Sequence, residues 1–149
     1  APGSVTRVAV MRHPRNDEWQ QVLAGFRPDV LQTDADDFAA LEVPASVARW
    51  PVLRESGTIG DVLPETFLYE GAISGKGQTV DWERAATIAG QGNMILAGGL
   101  DAGNVAAAVR IVRPFGVDVS SAVESAPGVK NPDLIRKFVT AARAAEKDT

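Results

Sequence analysis

A parallel α/β fold is what this sequence predicts, on three observations. Short apolar runs alternate with helix-like segments, strand then helix, at a spacing of roughly 20 to 25 residues, which is the pattern of βα units. Several of those runs are continuously hydrophobic rather than alternating, as suits strands covered on both faces. No linker or low-complexity stretch divides the 149 residues, so they read as one domain, 1–149, with a sizeable core.

Six runs rich in β-branched or aromatic residues are expected as strands: Val5–Met11, Val30–Gln32, Arg49–Leu53, Thr66–Tyr69, Met94–Ala97 and Val117–Val119. The segment "NDEWQQVLAGF" opens on Asn16 as an N-cap, with acids in its first turn. "LRESGTIGDVLPE" is weak and predicts a short or broken helix. "DWERAATIAG" opens at Asp81 and stops at Gly90. "DAGNVAAAVRIVRPFG" has Asp101 near its start, basic residues near its end, then Pro114 and Gly116 as terminators. "NPDLIRKFVTAARAA" opens with an Asn131 cap followed by Pro132 at the first helical position, and Leu134, Ile135, Phe138, Val139 and Ala142 share one face.

Composition narrows the function classes. Hydrophobic residues are 45% and charged residues 23%, and the net charge of −4 comes from interspersed signs, so the basic footprint of a nucleic-acid binder is missing. No apolar run reaches bilayer length, and "APGSVTRVAV" lacks the order of a signal peptide. The absence of cysteine excludes disulfides and thiolate metal sites, and the single His13 excludes a multi-histidine metal cluster. A cytoplasmic protein with no metal is expected, with no nucleic acid and no membrane as partner.

The stretch "GAISGKGQT" resembles a nucleotide phosphate loop and fails as one. Two glycines with four residues between them should precede Lys and a hydroxyl residue, but Glu70 stands at the first glycine position and Gly77 follows Lys76. Its glycines belong to a wider pattern. Gly71, Gly75 and Gly77 follow the fourth run, Gly98 and Gly99 the fifth, and Ser120 and Ser121 the sixth. In βα architectures these loops sit at the carboxyl ends of the strands, where chemistry is carried. Small residues with accessible backbone N–H groups there suit a phosphate monoester; turning the chain is the competing role of any one of them.

"FLYEGAISGKGQTVDW", "ILAGGLDAGNVAAAVRIVRPFGVDVSSAVES" and "PGVKNPDLIRKFV" together resemble, in order and spacing, the phosphoribosylanthranilate isomerase family of tryptophan biosynthesis. The resemblance runs from about Phe67 to Val139 and is looser over the first third. It implies a TIM-type parallel (βα) barrel, of which this chain would cover about six of eight units. It also implies a phosphorylated-sugar substrate and an Amadori rearrangement that uses no metal or cofactor. Such chemistry needs an acid to open the ribose ring and a base to remove the C2 proton.

By the resemblance Glu70 takes the general-acid position, where the family has aspartate. The added methylene matters, because a displacement of about 1 Å is worth around a hundredfold in rate. Asp118 takes the position of a substrate-positioning aspartate, and in "GVDVSS" it is expected to be buried and hydrogen-bonded. Gly75, Gly77, Gly98, Gly99, Ser120 and Ser121 match the phosphate loops. Lys76 is expected to face solvent, Asp81 to cap a helix, Trp19, Trp50 and Trp82 to pack, and His13 to have no partner. The family's base, a cysteine in a "KICG" motif, and its "SPR" arginine have no counterpart here. The chain is therefore expected to lack two N-terminal βα units, to have that segment as a partner, and not to isomerise alone. Competing readings are a phosphate-binding fragment without turnover, a ProFAR isomerase, which would use paired aspartates, or an indole-glycerol-phosphate synthase, which would need a strand lysine. A doubly wound open sheet is the alternative fold.

Overall fold

The computed structural model describes residues 5–57, 59–60, 62–71 and 80–146. The chain divides into two compact units, Ala1–Leu53 and Arg54–Thr149.

In the first unit, β1 (Val8–Val10), β2 (Val30–Asp34) and β3 (Ala48–Arg54, whose last residue opens the second unit) pair in parallel, with Val8 opposite Val30 and Val30 opposite Ala48. Helix α1 (Asn16–Phe26) connects β1 to β2, and a 3-10 helix, Ala35–Ala40, follows β2. Val30 to Thr33 are buried in succession, which explains why that run does not alternate. Trp19 anchors the core with Ala9, Leu31, Leu41 and Val47, and its indole N–H donates to the Glu42 carbonyl at 3.0 Å. Asn16 is not the cap. Its side-chain oxygen accepts from the Glu42 N–H at 2.9 Å, so it is the first helical residue, and Arg15 holds the cap position, its N–H donating to Glu18 Oε2 at 2.9 Å. The helix ends on Arg27 in the left-handed region, just before Pro28.

The second unit carries β4 (Thr66–Glu70), α2 (Trp82–Ala89), β5 (Asn93–Leu96), α3 (Val105–Val112) and β6 (Gly116–Val117). A 3-10 turn at Ser121–Val123, a hairpin of β7 (Glu124–Ala126) with β8 (Val129–Lys130), and α4 (Pro132–Glu146) follow. β4, β5 and β6 are parallel, with Thr66 opposite Asn93 and Ile95 opposite Gly116. Phe67, Leu68, Tyr69, Met94 and Leu96 are almost fully buried, again in continuous runs. The approach to β5 needs Gly92, since a Cβ there would lie 3.1 Å from the Phe67 ring and 3.2 Å from the Pro64 carbonyl oxygen.

Three further expectations are corrected. Asp101 does not open α3; its carboxylate caps a turn by accepting from the Gly103 and Asn104 N–H groups at 2.7 and 2.9 Å, and the helix begins at Val105. No helix forms among the described residues of 55–65, where glycines, Pro64 and a lack of helical period leave only turns and extended chain. The apolar face of α4 is only partly used: Phe138 and Ala145 are buried, but Ile135 and Val139 are 40% and 39% exposed, because the helix buries a narrow seam and these two flank it. Its expected start is as read, with Asn131 Oδ1 accepting from the Asp133 and Leu134 N–H groups at 2.9 and 3.3 Å.

Candidate functional site

All the sequence-predicted site residues that the structure describes belong to the second unit. Hydrogen bonds carry the strand pairing one step beyond the strands: Ala97 N–H to the Tyr69 carbonyl and Asp118 N–H to the Leu96 carbonyl, both at 2.9 Å. Glu70, Gly98 and Asp118 therefore leave the same, carboxyl ends of three adjacent parallel strands. With strands about 4.8 Å apart and β5 between them, the strand ends that carry Glu70 and Asp118 are separated by roughly 10 Å. Gly75 and Gly77, with Lys76, lie outside the described residues.

Glu70 ends β4 half-buried and makes an ion pair from Oε1 to Arg54 Nη1, at the end of β3. The two side chains are only 15% and 23% exposed, so water screens them less than a surface pair. The backbone joins them as well, since Glu55 N–H donates to the Glu70 carbonyl at 2.9 Å. Glu55 Oε1 in turn accepts from the Asp81 N–H at 2.8 Å, and Asp81 caps α2 by accepting from the Glu83 and Arg84 N–H groups, as expected.

Asp118 departs from expectation. Its side chain is open to solvent and makes no hydrogen bond among the described residues. It emerges just past β6, between Val117 and Val119, which are themselves only half-buried. Protein nonetheless surrounds it on the remaining sides. That partial desolvation, chiefly, and then the charge of Glu70 push its carboxyl above the usual range, while Lys130 opposes them.

Gly98 and Gly99 adopt φ of 94° and 63°, conformations that a side chain would strain. Asn104 braces their loop: its side-chain N–H donates to the Gly99 carbonyl at 2.8 Å, and its side-chain oxygen accepts from the Asp101 N–H at 2.9 Å. Ser120 and Ser121 are exposed. Lys130 reaches back from β8 to Ser120, donating to its carbonyl at 2.9 Å and its hydroxyl oxygen at 3.2 Å, and pairs with Glu124 Oε1 at 2.6 Å. The hydrogen bond from Lys130 holds the Glu124 carboxyl below its usual range, with the Gly128 N–H helping.

Sequence reasoning missed Arg54 and Lys130. Each stands inside a segment that was read, and each acts through a partner 16 or 10 residues away that only the strand register or the hairpin fold brings close. His13 was also misjudged. Held at φ 46°, it places Nδ1 3.1 Å from Asp37 and Nε2 3.3 Å from Asp34. These three are the group, among the described residues, whose oxygen and nitrogen atoms crowd within 4.8 Å as a metal would need. Both ring nitrogens already face carboxylates, so polar contacts within the cluster account for the arrangement. Of the tryptophans, Trp19 is buried, while Trp50 and Trp82 are half-buried.

Parallel strands that alternate with helices in chain order define an α/β protein of the (βα)-barrel class. The TrpF protein of Jonesia denitrificans, 30% identical, matches the fold with a TM-score of 0.77 over 98% of this chain and 75% of its own. A further solved structure, a phosphoribosyl anthranilate isomerase in complex with reduced 1-(o-carboxyphenylamino)-1-deoxyribulose 5-phosphate, matches at a TM-score of 0.69 with 24% identity, covering 97% of this chain and 74% of that one. The family profile for N-(5'-phosphoribosyl)anthranilate isomerase matches residues 3–141. An N-(5'-phosphoribosyl)anthranilate isomerase of a Chelativorans species is 38% identical over 97% of this chain and 75% of its own length. The chain belongs to the N-(5'-phosphoribosyl)anthranilate isomerase family, and spans about three quarters of the length of these relatives.

Proposed function

We propose that the site at the ends of β4, β5 and β6 acts on N-(5'-phosphoribosyl)anthranilate in tryptophan biosynthesis, in the cytoplasm and without a cofactor. In its protonated form, with Oε2 carrying the proton while Oε1 accepts from Arg54, Glu70 gives that proton to the ribose ring oxygen as the C–O bond breaks, leaving an open-chain Schiff base. Transfer of the C2 proton to a base, which the resemblance makes a cysteine that these 149 residues do not contain, yields the enolamine, which tautomerises to the ketone of 1-(2-carboxyphenylamino)-1-deoxyribulose 5-phosphate. Asp118 positions the sugar. Gly98, Gly99, Ser120 and Ser121, with Gly75 and Gly77 by resemblance, hold the phosphate.

The observation that carries this reading is the placement of Glu70 and Asp118 at the carboxyl ends of β4 and β6, with the glycine pair of β5 between them. The bound compound of the related structure, a reduced aminodeoxyribulose phosphate, is of the matching chemistry. One fact favours a second reading, binding without turnover: the sequence contains no cysteine, the residue that the resemblance assigns as base.

Turnover of the substrate and binding of the reduced product analogue, measured for this chain and for E70Q after each is completed with the two N-terminal βα units of a family member, decide between them. Turnover that E70Q removes while analogue binding survives supports the isomerase assignment. Turnover unchanged in E70Q excludes Glu70 as the acid. Analogue binding by both proteins with no turnover by either supports the second reading.

A further inference from the structure

The hairpin formed by β7 and β8 has no part in the chemistry above, yet it is built to deliver one cation to one loop. Gly128 turns the hairpin at φ 79°, and its N–H donates to Glu124 Oε2 at 3.1 Å. Asn131 N–H donates to the Val123 carbonyl at 2.8 Å, which closes the segment at its base. Within this frame the Lys130 ammonium has three acceptors: the Ser120 carbonyl, the Ser120 hydroxyl oxygen and Glu124 Oε1. An ammonium has three N–H donors, so all are engaged and its direction is fixed.

The consequence falls on Ser120. A serine hydroxyl has one proton to donate and two lone pairs to accept with. With a lone pair occupied by Lys130, the hydroxyl cannot turn its proton toward the ammonium. We propose that Lys130 is a positioning residue of the phosphate subsite: by donating to Ser120 it orients that hydroxyl as a hydrogen-bond donor to the phosphate of the sugar ligand. Glu124 is the counter-charge that keeps the ammonium at the loop and away from the ligand. Lys130 is thus a neighbour that aims a donor, and not itself a phosphate ligand.

This inference rests on the phosphate-loop role given to Ser120, and the experiment separates the two. Binding of ribose 5-phosphate is measured by titration calorimetry at low salt for the chain, S120A, K130Q and the double variant, with thermal melting to check the fold. The expected result is that S120A and K130Q each weaken binding about tenfold, the scale of one hydrogen bond to a charged group. K130Q should then add almost nothing in the S120A background, because its effect passes through the missing hydroxyl. A K130Q effect of equal size in both backgrounds would overturn the proposal, since it would mean that Lys130 acts by charge alone. Undiminished binding in K130Q overturns it as well. Undiminished binding in S120A, or no binding by the parent chain, removes the phosphate-loop reading and this inference with it. If K130Q does not fold, K130R takes its place in the cycle, keeping the charge on a planar fork that cannot reproduce the three ammonium bonds.

Discussion

At the scale of single residues, the pair Glu70–Arg54 bears on how a glutamate can serve where relatives by resemblance use aspartate. The longer side chain adds a rotatable bond, and freedom at a reacting group costs rate. Arg54 reduces that freedom by fixing Oε1, which leaves Oε2 as the oxygen that meets the substrate in the reaction proposed above. In the chain completed with two N-terminal βα units, R54Q is expected to lower kcat by about tenfold or more with KM little changed, since Arg54 touches the carboxylate and not the substrate. Steady-state kinetics beside a melting curve would check this; an equal rise in KM with kcat intact would mean that Arg54 binds substrate instead. The candidates at loop glycines and serines were legible because small residues recur after each run. Arg54 was not, because nothing in "VLRES" announces that its neighbour is Glu70, 16 positions on. Asp118 was legible as a candidate but not in its exposure: a strand of two residues, Gly116–Val117, releases the chain before the aspartate reaches the core.

At the scale of elements, the strands were readable because Phe67–Tyr69 and Met94–Leu96 are buried without a break, and continuous apolar runs mean two covered faces. Helix starts were readable only where the cap has no rival partner. Asp81 and Asn131 cap as expected, whereas Asn16 is drawn away by the Glu42 N–H and Asp101 by the turn it closes. Asn131 therefore makes a clean test. Its side chain satisfies two otherwise unpaired N–H groups of α4, the longest helix among the described residues. N131A should cost about 1 kcal/mol, a fall of roughly 2–4 °C in Tm for a chain of this size, while N131D should keep most of the stability. An unchanged Tm in N131A would show that packing alone starts this helix.

At the scale of the whole molecule, the carboxyls set how stability follows pH. Asp29 is held down to about 2, first by the hydrogen bond from the Arg7 side chain and then by the Arg7 N–H. Asp17 is lowered chiefly by Arg15, and Glu124 by Lys130. For Asp37, burial pushes upward but the hydrogen bonds from Thr33 and His13 outweigh it. A lowered carboxyl binds its proton less readily folded than unfolded. Its stabilisation is present above the ordinary value of about 4 and is lost as pH falls through the folded value. For Asp29 that window runs from about 4 down to about 2. Asp118 has the opposite sign: raised by burial and by Glu70, it favours the folded state when protonated and loses that contribution as pH rises above about 4. Urea unfolding at a series of pH values should therefore show stability falling from pH 4 toward pH 2, with the steepness reduced in D29N. In D118N the loss between acid and neutral pH should shrink, leaving the variant relatively more stable near pH 7. Trp19 is in the first unit and Trp82 in the second, so single-tryptophan variants report each unit separately. A D29N curve that runs parallel to the parent between pH 4 and 2 would mean that the Arg7–Asp29 contact persists in the unfolded chain, since only a difference between the two states can give the slope.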